Sequence, residues 1–137
     1  MSQYLLDTNI CIHYLKGQYE LHQKITQVGF SACYLSEITI AELLFGVENS
    51  AEDKREKNRE SVYNLRNAFS DHVLRINDAF DEYARQKAAL KRSGRLIGEF
   101  DLLIGTTAIV HGLILITRNT RHFAHLEGIE LQNWIDL

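Results

Sequence analysis

The chain reads as an α/β domain built around a parallel sheet. Two observations predict this class. Short apolar runs suited to strands alternate with segments whose apolar residues recur at helical spacing, the pattern of strands connected through covering helices. The 137 residues, 45% of them hydrophobic, match one globular domain with a sizeable core, spanning residues 1–137. No internal repeat or low-complexity tract interrupts them.

The first run, Tyr4 to Leu6, predicts a buried strand with Asp7 emerging at its carboxyl end. In open α/β sheets that edge is where ligands bind. Ile10, Cys11, Tyr14 and Leu15 follow at helical spacing, with Thr8 or Asn9 as cap and Gly17 as stop. Leu21, Ile25 and Val28 predict a second short helix ended by Gly29. Ala32 to Leu35 reads as a strand, and Ser36 as the cap of a helix with Glu37 in its first turn. From Ile38 to Val47 that helix is apolar nearly all round, which predicts burial.

From Ala51 to Arg59 the composition turns polar and mixed in charge. Val62, Leu65 and Phe69 then supply one apolar stripe, so this segment is expected to be a solvated helical arm. Val73, Leu74 and Ile76 form a brief strand, and Asn77-Asp78 a capping pair. Phe80, Tyr83, Ala84, Ala88 and Leu90 mark the next helix, stopped at Ser93-Gly94. A helix from Gly98 to Val110 carries Glu99 and Asp101 in its first turn, with Gly112 at C′. Leu113 to Ile116 is a continuous apolar strand, Thr117-Arg118-Asn119 a turn, Phe123 and Leu126 part of a small helix, and Ile129 to Trp134 a last strand.

Composition narrows the function classes. No apolar run reaches the length of a bilayer span. The first residues lack a basic segment followed by an apolar one, so no secretory signal is expected. Cys11 and Cys33 form no Cys-x-x-Cys pair and are expected as buried thiols in a reducing cytoplasm. A formal net charge of −3 argues against an indiscriminate nucleic-acid coat protein, though not against a nuclease with a local basic patch.

Asp7, Glu42 and Asp101 each interrupt apolar sequence, and Asn119 ends the turn after the fourth predicted strand. Glu42 is the most informative, because Ile38, Ala41, Leu43, Leu44 and Phe45 predict burial on most sides, where an unpaired ion is costly. No Lys, Arg or His occurs between Ser31 and Asn49 to pair it, and Gly46 leaves open space one turn on. Singly, each acid also reads as a cap or a first-turn helix acid. Together, three oxygen donors without a companion Cys or His suit a hard cation such as Mg²⁺ or Mn²⁺ better than Zn²⁺.

These residues carry a resemblance. Leu6-Asp7-Thr8-Asn9, Ser36-Glu37-Ile38-Thr39 running into Ala41-Glu42-Leu43, Ile97-Gly98 leading to Asp101, Thr117-Arg118-Asn119 with His122-Phe123, and Asn133-Trp134 together resemble the PIN-domain ribonucleases. More narrowly they resemble the toxins of VapBC-type toxin–antitoxin pairs. The motifs span nearly the whole chain in the family's order.

The resemblance implies a single PIN-like three-layer domain with Mg²⁺- or Mn²⁺-dependent endoribonuclease activity. Carried onto matching positions, it makes Asp7, Glu42 and Asp101 the metal-binding acids and places Asn119 at the fourth acidic position. Asn there brings oxygen without charge. Thr8 and Thr117 are expected as supporting hydroxyls, or equally as cap and turn residues. It further implies a VapB-type antitoxin as partner, a homodimer, and promoter DNA bound only through the antitoxin, with no membrane association.

Positive charge for RNA is expected at Arg95, Arg118 and Arg121, the basic residues closest in sequence to the proposed site. Arg85, Lys87, Lys91 and Arg92 belong to the same acid-free stretch, 85–95, and read equally as a solvated helix face. The spacing of His122 and His125 is that of a zinc pair without further soft ligands, and Trp134 reads as a core anchor. Two other readings stand beside the nuclease. One is a phosphohydrolase with Asp7 as nucleophile, whose usual second acid would stand where Asn9 is. The other is an inactive PIN-like binding module.

Overall fold

The structure, a computed structural model, describes residues 1–136. Five strands form one sheet: β1 (Tyr4–Leu6), β2 (Cys33–Ser36), β3 (Val73–Leu74), β4 (Ile114–Ile116) and β5 (Glu130–Gln132), in the order β3-β2-β1-β4-β5. Every neighbouring pair is parallel. Seven α-helices connect or flank them among the described residues: α1 (Thr8–Leu15), α2 (Leu21–Val28), α3 (Glu37–Glu48), α4 (Arg55–Ala68), α5 (Phe80–Arg92), α6 (Glu99–Val110) and α7 (Thr120–Phe123). The α/β expectation holds, and the strand bounds shift by no more than a few residues.

Two hydrophobic cores explain why the central strands are apolar on successive residues. Leu6 and Ile116 face a core completed by α1, α2, α3 and α4, while Leu5 and Leu115 face one completed by α5, α6 and α7. Adjacent residues of a strand point to opposite faces, so a sheet covered on both sides needs apolar residues at both. The result is three layers. No described helix is long and apolar enough to cross a membrane.

Local chemistry sets the helix starts, with two corrections. Ser36 caps α3 as expected, its hydroxyl accepting from the Ile38 amide at 3.1 Å. The cap of α1, however, is Asp7 rather than Thr8 or Asn9: its Oδ1 accepts from the Thr8 amide at 2.8 Å. Asn77-Asp78 does not cap α5 directly either; Asn77–Ala79 forms a 3₁₀ turn leading into it. The α3 surface is also less buried than its composition predicts. Leu43 and Val47 enter the core, but Phe45 is 69% exposed and Glu42 only half-buried. The helix turns one apolar edge toward a groove instead of into the protein. Cys11 and Cys33 are free, buried thiols, and burial pushes the Cys33 thiol up to about 11.

Candidate active site

The sheet order places β1 between β2 and β4, so the carboxyl ends of three adjacent strands open onto one edge. Leu6 pairs with Ile116, which sets Asp7 beside Thr117, and the Asp7 amide donates to the Ile116 carbonyl at 2.9 Å. Asp7 is therefore fixed by sheet register on one side and by the start of α1 on the other. The residue is 4% exposed. Oδ1 accepts from the Thr8 amide, and Oδ2 accepts from the wholly buried Thr117 hydroxyl at 2.8 Å.

Burial pushes the Asp7 carboxyl up from 3.8 to about 6. The Thr117 hydroxyl and the Thr8 amide oppose that rise by favouring the charged form, while the nearby negative charges of Asp101 and Glu42 add to it. Sheet edge and helices thus bring the three acids near enough for their charges to repel. Sequence reasoning expected Glu42 to be the deeply buried acid; Asp7 holds that place, because it stands at the end of the central strand.

Glu42 reaches the same edge from α3. Thr8 Oγ1 donates to Glu42 Oε1 at 2.6 Å and lies 3.0 Å from the Thr39 hydroxyl. Thr39 and Glu42 are three residues apart and so share a helix face. Thr8 is thus a support for Glu42 through its hydroxyl and for Asp7 through its amide. Asp101 enters in the first turn of α6, which starts when the Leu102 amide bonds to the Gly98 carbonyl at 2.9 Å. A cleft of about 680 Å³ is lined by Asp7, Thr8, Asn9, Glu42, Phe100 and Asp101 among others.

The remaining expected residues divide. Asn119 is exposed; its carbonyl accepts from the His122 and Phe123 amides, its own amide donates to Thr117 Oγ1 at 3.0 Å, and its side chain makes no cap hydrogen bond. The Asn119 backbone thus supports Thr117, which in turn holds Asp7. Arg118 turns aside: it forms a two-point ion pair with Asp136 at 3.0 and 3.2 Å, and its guanidinium lies 5.2 Å from the Tyr19 ring centre. Arg95 donates to His125 at 2.8 Å, and Arg121 is exposed without an ion pair among the described residues. Arg85 and Lys87 are tied to Glu82 and Glu99, the solvated-face reading.

One residue was missed as part of the site. His122 Nε2 lies 3.2 Å from Asp101 Oδ2. The spacing of His122 and His125 suggests a metal pair, but the structure separates their partners, Asp101 for one and Arg95 for the other. The signal in sequence was the position of His122 one helical turn after Asn119, not its distance from His125.

The donor set is all oxygen, with no Lys or Arg ion-paired to any of the three acids among the described residues. That chemistry fits a hard divalent cation. Among the described residues no three acidic, Cys or His side chains stand close enough together to hold a metal ion as they are placed; Asp7, Glu42 and Asp101 line an open cleft.

The description "PIN domain" matches residues 4–129. The chain is 31% identical over 135 residues to a "tRNA(fMet)-specific endonuclease VapC" of Shigella flexneri, covering 98% of this chain and 99% of that one. It is 34% identical over 140 residues to "Ribonuclease VapC2" of Haemophilus influenzae, covering 98% and 100%. A DNA-bound VapBC structure from Salmonella typhimurium superposes with a TM-score of 0.88 at 30% identity, covering 98% of this chain and 99% of that one. The chain belongs to the PIN-domain family, among its VapC-type ribonucleases.

Proposed function

We propose that this chain is a divalent-metal-dependent endoribonuclease toxin, with Mg²⁺ or Mn²⁺ held by Asp7, Glu42 and Asp101. The observation that carries the reading is that Asp7, Glu42 and Asp101, none of them ion-paired to Lys or Arg among the described residues, line one cleft at the carboxyl edge of a parallel sheet. The relatives named as ribonucleases and as a tRNA(fMet)-specific endonuclease support RNA as the substrate class.

Bound at these oxygens, the ion would supply charge neutralisation at the scissile phosphate and a more acidic water. The protein's own part is geometric. Thr117 and the Thr8 amide keep Asp7 ionised and oriented, and the Thr8 hydroxyl holds Glu42. A carboxylate oxygen not engaged with metal orients the attacking water or accepts its proton. In-line hydrolysis leaves 3′-hydroxyl and 5′-phosphate ends. Arg95 and Arg121 are the proposed phosphate contacts.

An antitoxin of the VapB type is the proposed regulator. The acidic cleft is continuous, through Ile12, Glu42 and Gly46, with an apolar groove between α1, α3 and α4 that includes Leu15, Leu43 and Val62. A Cβ added at Gly46 would meet nothing within 4 Å, so the groove floor is open there. An extended or helical tail laid along this groove, with a basic side chain at the acids, would close the site. Promoter DNA is expected only through that partner, in keeping with the DNA-bound toxin–antitoxin relative. A homodimer and a cytoplasmic location complete the proposal.

The test is sequencing of RNA 5′ ends after brief induction, comparing wild type with Asp101→Asn. New 5′-phosphate ends in wild type alone are expected. Matching profiles would reject the nuclease, and 2′,3′-cyclic phosphate products would reject the hydrolytic chemistry.

A further inference from the structure

Two of the three acids are held by hydroxyl donors that sequence had singled out. Asp7 has Thr117, and Glu42 has Thr8. The second of these extends one step further. Thr8 carries a single hydroxyl proton, and an ionised Glu42 can only accept, so Thr8 gives its proton to Glu42. The Thr8–Thr39 contact at 3.0 Å then requires the wholly buried Thr39 to donate to Thr8.

Asp101 lacks such a hydroxyl. It stands in the first turn of α6 with its side chain 37% exposed, free to change rotamer unless something holds it. The one side-chain hydrogen bond it makes among the described residues is to His122, whose Nε2 lies 3.2 Å from Oδ2. His122 is well fixed for the purpose. Its amide donates to the Asn119 carbonyl at 3.1 Å, its ring meets the Phe123 ring edge-on at 5.4 Å, and Phe123 is 1% exposed in the core against α6.

We propose that His122 is the positioning residue of Asp101. Its Nε2–H donates to Oδ2 and leaves Oδ1 available for the metal, as the Thr8 hydroxyl holds Oε1 of Glu42 and leaves Oε2. Each acid of the site then has a side-chain donor, so all three carboxylates are oriented before an ion arrives. This inference rests on the metal-dependent reading of the site. It gives the His-Phe pair after Asn119 a task unrelated to zinc.

The test uses the full chain with His122→Ala, His122→Gln and His122→Asn. Glutamine places an amide donor near the position of imidazole Nε2, while asparagine is too short to reach. Two measurements are made: the Mn²⁺ concentration at the midpoint of the rise in melting temperature without RNA, and kcat and KM for RNA cleavage over a range of salt. Loss of a partner that orients a metal ligand should raise the Mn²⁺ midpoint about 10–100-fold in the alanine and asparagine variants. His122→Gln should restore most of it, with KM and its salt dependence unchanged throughout.

A wild-type Mn²⁺ midpoint in His122→Asn, or a glutamine variant as weak as asparagine, overturns the proposal. So does a raised KM with a flatter salt dependence, which makes His122 a phosphate contact instead. Should the alanine variant fail to fold, the glutamine and asparagine pair carries the comparison. A wild type with no Mn²⁺-dependent rise overturns the metal reading of the site and this proposal with it. Failure in the His122 variants alone leaves that reading standing.

Discussion

Thr117 Oγ1 donates to Asp7 Oδ2 at 2.8 Å, joining residues 110 positions apart at the ends of neighbouring strands. The Asn119 amide occupies a lone pair of the same hydroxyl at 3.0 Å, so the proton is directed at Asp7. Replacing Thr117 with Val keeps the shape and removes that donor. The Asp7 carboxyl should then rise above about 6, since its chief opponent to desolvation is gone. The acidic limb of the pH–rate profile should move to higher pH, and kcat should fall about 10–100-fold. Thr117→Ser should retain both. Identical pH profiles for Thr117→Val and wild type would show that the hydroxyl does not tune Asp7.

Asp7 should cost the fold stability at neutral pH. Its folded value, about 6, lies above the unfolded 3.8, so between these the folded state binds more protons and stability falls as pH rises. Below pH 3.8 the penalty is absent; above about 6 it is complete. A shift of this size corresponds to roughly 2–3 kcal/mol. Asp7→Asn, measured by urea unfolding in chelator, should be more stable than wild type at pH 7.5 by an amount of that order. The difference should shrink toward pH 4. Added Mn²⁺ should stabilise wild type and leave the variant unmoved. An Asp7→Asn variant less stable than wild type at every pH would contradict this account.

The sheet and most helices were legible because buried parallel strands demand apolar residues on both faces, and Tyr4–Leu6 and Ile114–Ile116 supply them. Asp7, Glu42 and Asp101 were legible as acids set in apolar sequence. What sequence could not weigh was depth: Glu42 has apolar neighbours along α3, yet those neighbours flank an open groove, and the central strand buries Asp7 instead. Pairings between distant segments were equally hidden. Asp136 captures Arg118, and His122 meets Asp101, through tertiary placement that local spacing does not encode.

Gly105 sets how closely α6 and the segment carrying His122 approach. A Cβ there would collide with the Leu126 side chain and press on Phe123 at 3.4 Å. Leu126 and Phe123 are both buried, leaving little room to give. Overpacking of this kind costs about 1–3 kcal/mol. Gly105→Val should lower stability by that amount and, by displacing α7, weaken the Mn²⁺ response as well. Thermal unfolding with and without Mn²⁺ measures both effects; a variant with wild-type stability would show that the helix contact is slack.

Arg118 and Arg121 should respond differently although they flank the same residue. The Arg118 guanidinium is already committed to Asp136 and to the Tyr19 hydroxyl, and these partners favour its charged form. Tyr19 itself sits at φ 58°, an uncommon conformation for a non-glycine residue, so the arginine acts as a strut for the α1–α2 turn. Arg121 is exposed on α7 with no such partner among the described residues. A side chain that neutralises one RNA phosphate contributes about 0.7 to the slope of log affinity against log salt on a single strand. Arg121→Ala should therefore flatten the salt dependence of RNA binding by about that much. Arg118→Ala should leave the slope unchanged while making the α1–α2 turn more sensitive to proteolysis. Binding measured with Asp101→Asn as the common background, which prevents cleavage during titration, separates the two. Equal slope changes would mean that Arg118 abandons Asp136 when RNA arrives.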